Sequence, residues 1–271
     1  MAQKENLYIS GNSKAALEWH SARTAANSAA YLLKHIRPDM HILDIGCGPG
    51  SITADLAALV PQGSVIGIDF GPGVIEEARS MAAKRGLKNI GFEVGDAHAL
   101  DFPDHKFDVI HAHQVLQHIG DPPHALREWQ RVTKQGGIIA SREADSGSAA
   151  YYPASSDLAE FQGMYRKAAR SRSGEPDGGR HLVAWARAAG IDRSSITATA
   201  SVWCYSTPEE REYWSNMWIG RLIESSMREK IINGGFATEN DLDRYARAWH
   251  DWAADEDGWW TLLHGEILCH F

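Results

Sequence analysis

Apolar and polar positions alternate in two rhythms along the first half of the chain. "HILDI", "SVIGIDF", "NIGFEVGD", "KFDVIHAHQVL" and "GGIIASREAD" are short, nearly continuous apolar runs. Each reads as a buried strand. Between them lie stretches with helical periodicity. "SITADLAALV" puts Ile52, Leu56, Leu59 and Val60 on one face. "GVIEEARSMAAKRG" does the same with Val74, Ile75, Ala78, Met81 and Ala82, and Gly86 is placed to end it. "HALREWQRV" turns Leu126, Trp129 and Val132 inward. Strand and helix in strict alternation predict an α/β fold with a doubly wound, mostly parallel sheet.

The rhythm changes on either side of this core. "NSKAALEWHSARTAANSAAYLLKHI" predicts one helix ending before Pro38, so residues 1–40 form an N-terminal helical segment. Residues 41–145 form the core, and 146–271 a helical cap with two further strands, "SITATASVWCYS" and "WWTLLHGEILCHF". "SGEPDGGR" reads as a flexible link, and "TPEEREYWSNMWIGRLIESSMREKI" as one amphipathic helix. Of ten tryptophans, eight lie beyond residue 150, which makes the cap aromatic.

Composition narrows the class. The chain has 271 residues, 44 % of them hydrophobic, enough for a globular core with an insertion. No apolar run approaches the roughly 20 residues that span a bilayer, and the N-terminus lacks a signal-peptide core. Cys47, Cys204 and Cys269 are too few and too scattered for a disulfide framework. A cytoplasmic setting is the expectation. A net charge of −8 argues against nucleic acid as partner. His111 and His113 share a strand face, but no third ligand stands at a metal-binding spacing, so no metal is expected.

The chemistry gathers where strands end. "DIGCGPGS" places Gly46, Gly48 and Gly50 between the first strand and the next helix. Glycines there permit a tight turn and close approach of a ligand to backbone. The spacing is G-x-G-x-G. It departs from the G-x-G-x-x-G of a dinucleotide site, which disfavours a nicotinamide-dependent oxidoreductase. Asp69 ends the second strand, about 20 residues on, where a carboxylate can hold a ribose diol. Asp96 ends the third strand, where it can accept from an exocyclic amine. His113 and Gln114 leave the fourth.

This series resembles the class I S-adenosylmethionine-dependent methyltransferases, nearest the small-molecule subgroup that includes ubiquinone- and menaquinone-biosynthesis enzymes. "LDIGCGPG", "GIDF", "GDAHALDFPDHKFDVIHAHQVLQHI" and "LREWQRVTKQGG" match its successive motifs, over roughly residues 40–145. The resemblance implies a Rossmann-like seven-stranded sheet with an antiparallel last strand, and S-adenosylmethionine as cofactor. It also implies roles. Gly46 and Gly48 would line the methionine moiety. Asp69 would hold the ribose hydroxyls. Phe70 and Val74 would touch adenine, and Asp96 would meet its amine, with the Ala97 N–H beside it. His113 and Gln114 would flank the methionine end.

Other candidates follow from position. His20 and Arg23, in the N-terminal segment, would close over the cofactor. His113 and His118 are candidate general bases. Glu143, Tyr151, Tyr152, Trp203, Trp214 and Trp218 are candidate acceptor contacts, suited to a small apolar or aromatic metabolite. The expected reaction is in-line displacement of a methyl group onto O, N, S or C. A cyclase-like or regulatory protein that binds the cofactor without methyl transfer is the alternative. An exposed aromatic cap would support a homodimer.

Overall fold

The computed structural model describes residues 23–271. His20 lies outside them, as does most of the N-terminal segment. What is described of that segment is two short helices, α1 (Ala25–Ser28) and α2 (Ala30–Leu33). They are separated by a non-helical Ala29, so this stretch is not one continuous helix.

The expected alternation then follows. The strands are β1 (His41–Ile45), β2 (Ser64–Asp69), β3 (Ile90–Val94), β4 (Phe107–His113) and β5 (Thr133–Ala144). The helices between them are α3 (Ser51–Leu59), α4 (Pro72–Lys84) and α5 (Pro122–Val132). α5 starts where the Asp121 side chain accepts from the His124 N–H and Pro122 takes the first turn.

The second half supplies β6 (Ala150–Tyr152), α6 (Ser156–Arg170), α7 (Leu182–Ala188), β7 (Ile196–Tyr205), α8 (Pro208–Glu224), α9 (Ser226–Asn233), α10 (Glu239–Ala254) and β8 (Trp259–His270). One helix was expected across α8 and α9. Ser225 instead goes extended and its hydroxyl caps α9, accepting from the Met227 N–H. The "SGEPDGGR" stretch is not a loose link either. Asp177 is buried and takes the guanidinium groups of Arg166 and Arg170.

Strand order is β3-β2-β1-β4-β5-β8, with β7 on the far side of β8. β1 to β5 pair in parallel, and β8 runs antiparallel to both β5 and β7. The short β6 pairs with the first residues of β8, beyond the end of β5. It adds an eighth strand that no sequence pattern announces, being three residues long.

Three of the four apolar clusters among the described residues set this arrangement. Leu32, Ile42, Leu56, Val65, Val109 and Ala140 pack α1–α3 on one face. Leu43, Ile110, Leu126, Trp129 and Leu182 pack α5 and α7 on the other. The cap has its own core, built from α6, α8, α9 and α10 around Phe161, Trp218, Trp249 and Trp260. It meets the sheet at Ala144, the carboxyl end of β5. No helix among the described residues is long and apolar enough to cross a membrane.

Candidate active site

In a parallel sheet of this kind ligands lie beyond the carboxyl ends of the strands. Backbone geometry there is set by the glycine corner after β1. Gly46, Gly48 and Gly50 take φ values of +66°, +54° and +84°, a region where side chains are strained. Their reasons differ. A Cβ on Gly46 would lie 2.4 Å from Val115 Cγ2, and one on Gly50 2.9 Å from the Phe92 ring. Those two positions are kept bare by the protein's own packing. Gly48 has nothing within 4 Å of its Cβ direction, so it alone of the three faces open space.

Asp69 closes the corner from β2. One carboxylate oxygen accepts from the Gly48 N–H at 3.0 Å, the other from the Gly71 N–H at 3.0 Å. Burial raises its pKa, against the pull of those two amides. Phe70, next along, is half exposed, and Val74 is buried under the first turn of α4. At the end of β3, Asp96 accepts from the His98 N–H at 2.9 Å. The Ala97 carbonyl takes the Trp129 indole N–H, which fixes this loop on α5.

A cavity of about 30 Å³ lies behind the corner, lined by Asp44, Gly46, Gly48, Ser51, Arg23 and His113. Asp44 is a buried acid inside an apolar strand, held by the Thr53 hydroxyl at 2.5 Å and by His111 Nδ1 at 2.7 Å. That contact engages His111 Nδ1, while its Nε2 is buried without a hydrogen-bond partner. His113, at the end of β4, is only 5 % exposed, yet neither ring nitrogen has a hydrogen-bond partner. Burial, with Arg23 and Arg142 nearby, holds it neutral.

Gln114 takes a positive φ of 55°, a strained conformation of the sort found at functional sites. Its backbone N–H donates to the Arg142 carbonyl. Its side chain is a bridge: Oε1 accepts from Arg23 at 2.6 Å and Nε2 lies 2.9 Å from His264 Nε2. Trp203 stands over this group. Its ring centroid is 5.7 Å from that of His113 and 4.3 Å from that of His264, with Arg142 at 4.9 Å. Its indole N–H donates to the Asn27 carbonyl in α1.

The structure therefore brings together Gly46, Gly48, Asp69, His113, Gln114, Arg23 and Trp203. It separates other candidates from them. Glu143 is fully buried and spends its carboxylate on the backbone N–H groups of Val115, Leu116 and Gln117, so it shapes the turn after β4 and does not face an acceptor. Burial, with Arg23 and Arg221 nearby, drives the His118 pKa to about 3, too low for an effective base. His118 does not line the cavity. Trp214 and Trp218 are cap core, the former stacked on Tyr205 and the latter against Phe161 and Trp249. Tyr151 stacks on Trp260, and Tyr152 points outward, 56 % exposed. Asp44, His264 and Arg142 are the residues that the sequence reading missed. A charge or imidazole interrupting an apolar strand was the available signal for all three.

A family model of a methyltransferase domain matches residues 36–194. The chain belongs to this methyltransferase-domain family. An uncharacterised methyltransferase of Schizosaccharomyces pombe is 34 % identical over 269 residues, covering 96 % of this chain and 95 % of that protein. A probable methyltransferase, LtbC, of Aspergillus luteorubrus is 31 % identical over 287 residues, covering 97 % and 96 %. The YcgJ protein of Bacillus subtilis shares the fold, with a TM-score of 0.56 at 19 % identity over 89 % of this chain and 96 % of its own. The chain is an S-adenosylmethionine-dependent methyltransferase with a Rossmann-like sheet. The methyltransferase's corner fits that cofactor on its own terms. Gly48 offers bare backbone to open space, Asp69 offers a desolvated carboxylate beside it, and His113 offers unengaged nitrogens.

Proposed function

We propose that the methyltransferase holds S-adenosylmethionine along the ends of β1 to β4 and methylates a small apolar or aromatic metabolite beside His113 and Trp203. In this reading Asp69 takes the ribose hydroxyls and the Gly46–Gly48 backbone takes the methionine end. Phe70 and Val74 pack on adenine, and the Asp96 carboxylate accepts from its amine, with the Ala97 N–H beside it. The bound cofactor supplies an activated methyl group. The chain's own residues supply position and dryness, and near-attack positioning alone is worth about 7–11 kcal/mol of barrier. Arg23, latched through Gln114, keeps water from the methionine end. Trp203 gives the acceptor a flat wall.

The observation that carries this reading is the Asp69 carboxylate, buried at a cost and bridging two glycine amides at the mouth of the corner. The acidic net charge supports a small molecule over nucleic acid as acceptor. The free thiols of Cys47, Cys204 and Cys269 support a reducing, cytoplasmic setting. Tyr152 and Trp259, paired across β6 and β8 and both exposed, support burial against a second copy of the chain. Co-crystallisation with S-adenosylhomocysteine tests the central assignment. Ribose density within hydrogen-bond reach of Asp69 upholds it, and a ligand bound away from Asp69 refutes it.

A further inference from the structure

A row of buried polar side chains crosses the sheet just behind His113. His113 is the register neighbour of Arg142, Arg142 of Glu266, and Glu266 of Thr199. Register neighbours project from the same face. Tyr31 of α2 packs on the same face, against the layer that holds Ala140 and Leu268, and its hydroxyl is buried.

Part of the row is satisfied. Glu266 accepts from Arg142 Nε at 3.3 Å, from the Thr199 hydroxyl at 2.8 Å and from the Ser201 hydroxyl at 2.5 Å. His264 is fixed between Gln114 and the Leu262 carbonyl. Four buried side chains on this face have atoms left over: the Tyr31 hydroxyl, Arg142 Nη1, both ring nitrogens of His113 and His111 Nε2. Buried donors without partners are costly, and a bound ligand is the ordinary way to satisfy them. The carboxylates nearest them are all engaged: Glu266 as above, Glu143 by three backbone N–H groups, and Asp44 by Thr53 and His111.

Arg142 Nη1 can only donate, while each neutral imidazole also carries one nitrogen that can accept. Tyr31 stays a phenol, Arg142 a cation and His113 a neutral imidazole, so each has a hydrogen to donate. An ammonium acceptor would meet a guanidinium and leave these donors unmet. An oxyanion satisfies them.

We propose that the methyl acceptor is an acidic oxygen, a carboxylate or an ionised phenol or enol, received by Tyr31, Arg142 and His113. This rests on the cofactor reading above. The acceptor oxygen supplies the electron pair of the new O–CH3 bond, and the S–CH3 bond breaks with its pair staying on sulfur. No proton moves, so the reaction needs no general base. His113 then acts as a donor that positions the oxygen.

The test is calorimetric titration of the full chain, saturated with S-adenosylhomocysteine, with two pairs of near-isosteric probes at mildly alkaline pH. One pair is naphthoate and naphthamide, the other para-nitrophenolate and para-nitroaniline. The expected result is that the anion of at least one pair binds roughly tenfold or more tightly than its neutral partner, the scale of a charge-assisted hydrogen bond. Preference within the naphthoate pair alone identifies a carboxylate, and within the nitrophenolate pair alone a phenolate or enolate. Tyr31→Phe, which keeps the ring, should cut the preference several-fold. Equal affinity within both pairs, failure of both anions to bind, or a preference untouched by Tyr31→Phe overturns the proposal. A chain that never takes up S-adenosylhomocysteine defeats the cofactor reading instead, and this proposal with it.

Discussion

The Asp69 carboxylate accepts a hydrogen bond from the backbone N–H of Gly48, 21 residues earlier in the chain, at 3.0 Å. That contact joins the ends of β1 and β2 and ties the open part of the glycine corner to the acid expected to hold ribose. A single change at either residue therefore tests both ends of one assembly.

The three corner glycines separate into packing and approach. Gly46→Ala puts a methyl group into Val115 and into a left-handed backbone. It should destabilise the fold by about 2–5 kcal/mol, the sum of overpacking and αL strain. Gly48→Ala carries the backbone strain alone, roughly 1–2 kcal/mol, because its Cβ meets open space. Its larger effect should be on cofactor affinity. Urea unfolding and calorimetry of the two variants give the comparison, and equal stability losses would contradict this division.

Glu143 predicts a pH dependence of stability. Burial lifts its pKa from 4.5 to about 7. The folded state thus holds this proton more tightly than the unfolded chain does. The associated stabilisation is complete below the unfolded value and is lost as pH rises through about 7. Relative to Glu143→Gln, the parent protein should lose up to about 3 kcal/mol across that window. Urea melts at a series of pH values would show the gap closing, and a parallel pair of curves would refute the burial argument.

Trp218 is a test of cap core against acceptor wall. It packs on Phe161, Tyr165 and Trp249 in the cap's own core. Trp218→Ala should cost about 3–5 kcal/mol of stability, with cofactor affinity of the folded protein unchanged. A stable variant with altered acceptor selectivity would return Trp218 to the acceptor site.

The core was legible because its signals are local. "HILDI" runs directly into Gly46, and the second strand ends on Asp69 within "GIDF". Parallel strands read as unbroken apolar runs, and glycines mark their ends. The missed residues act through long-range pairs. Asp44 meets His111 across 67 positions, Arg142 meets Glu266 across 124, and Gln114 meets His264 across 150. No periodicity encodes such partners. Glu143 illustrates the converse: its place at the end of β5 was right, but its carboxylate is consumed by a turn that only the folded chain reveals. The break at Ser225 was hidden for a simpler reason, since a serine on an amphipathic helix reads as an exposed face until its hydroxyl is seen capping α9.

The most direct measurement is calorimetric titration of S-adenosylmethionine, with NADH in parallel, into the parent chain and Asp69→Ala. The account predicts binding of S-adenosylmethionine and none of NADH. It also predicts a loss of at least about 10-fold in affinity on removing the carboxylate, since each charge-assisted bond to a ribose hydroxyl is worth about 1.5–3 kcal/mol. Unchanged affinity in Asp69→Ala, or binding of NADH alone, would contradict it.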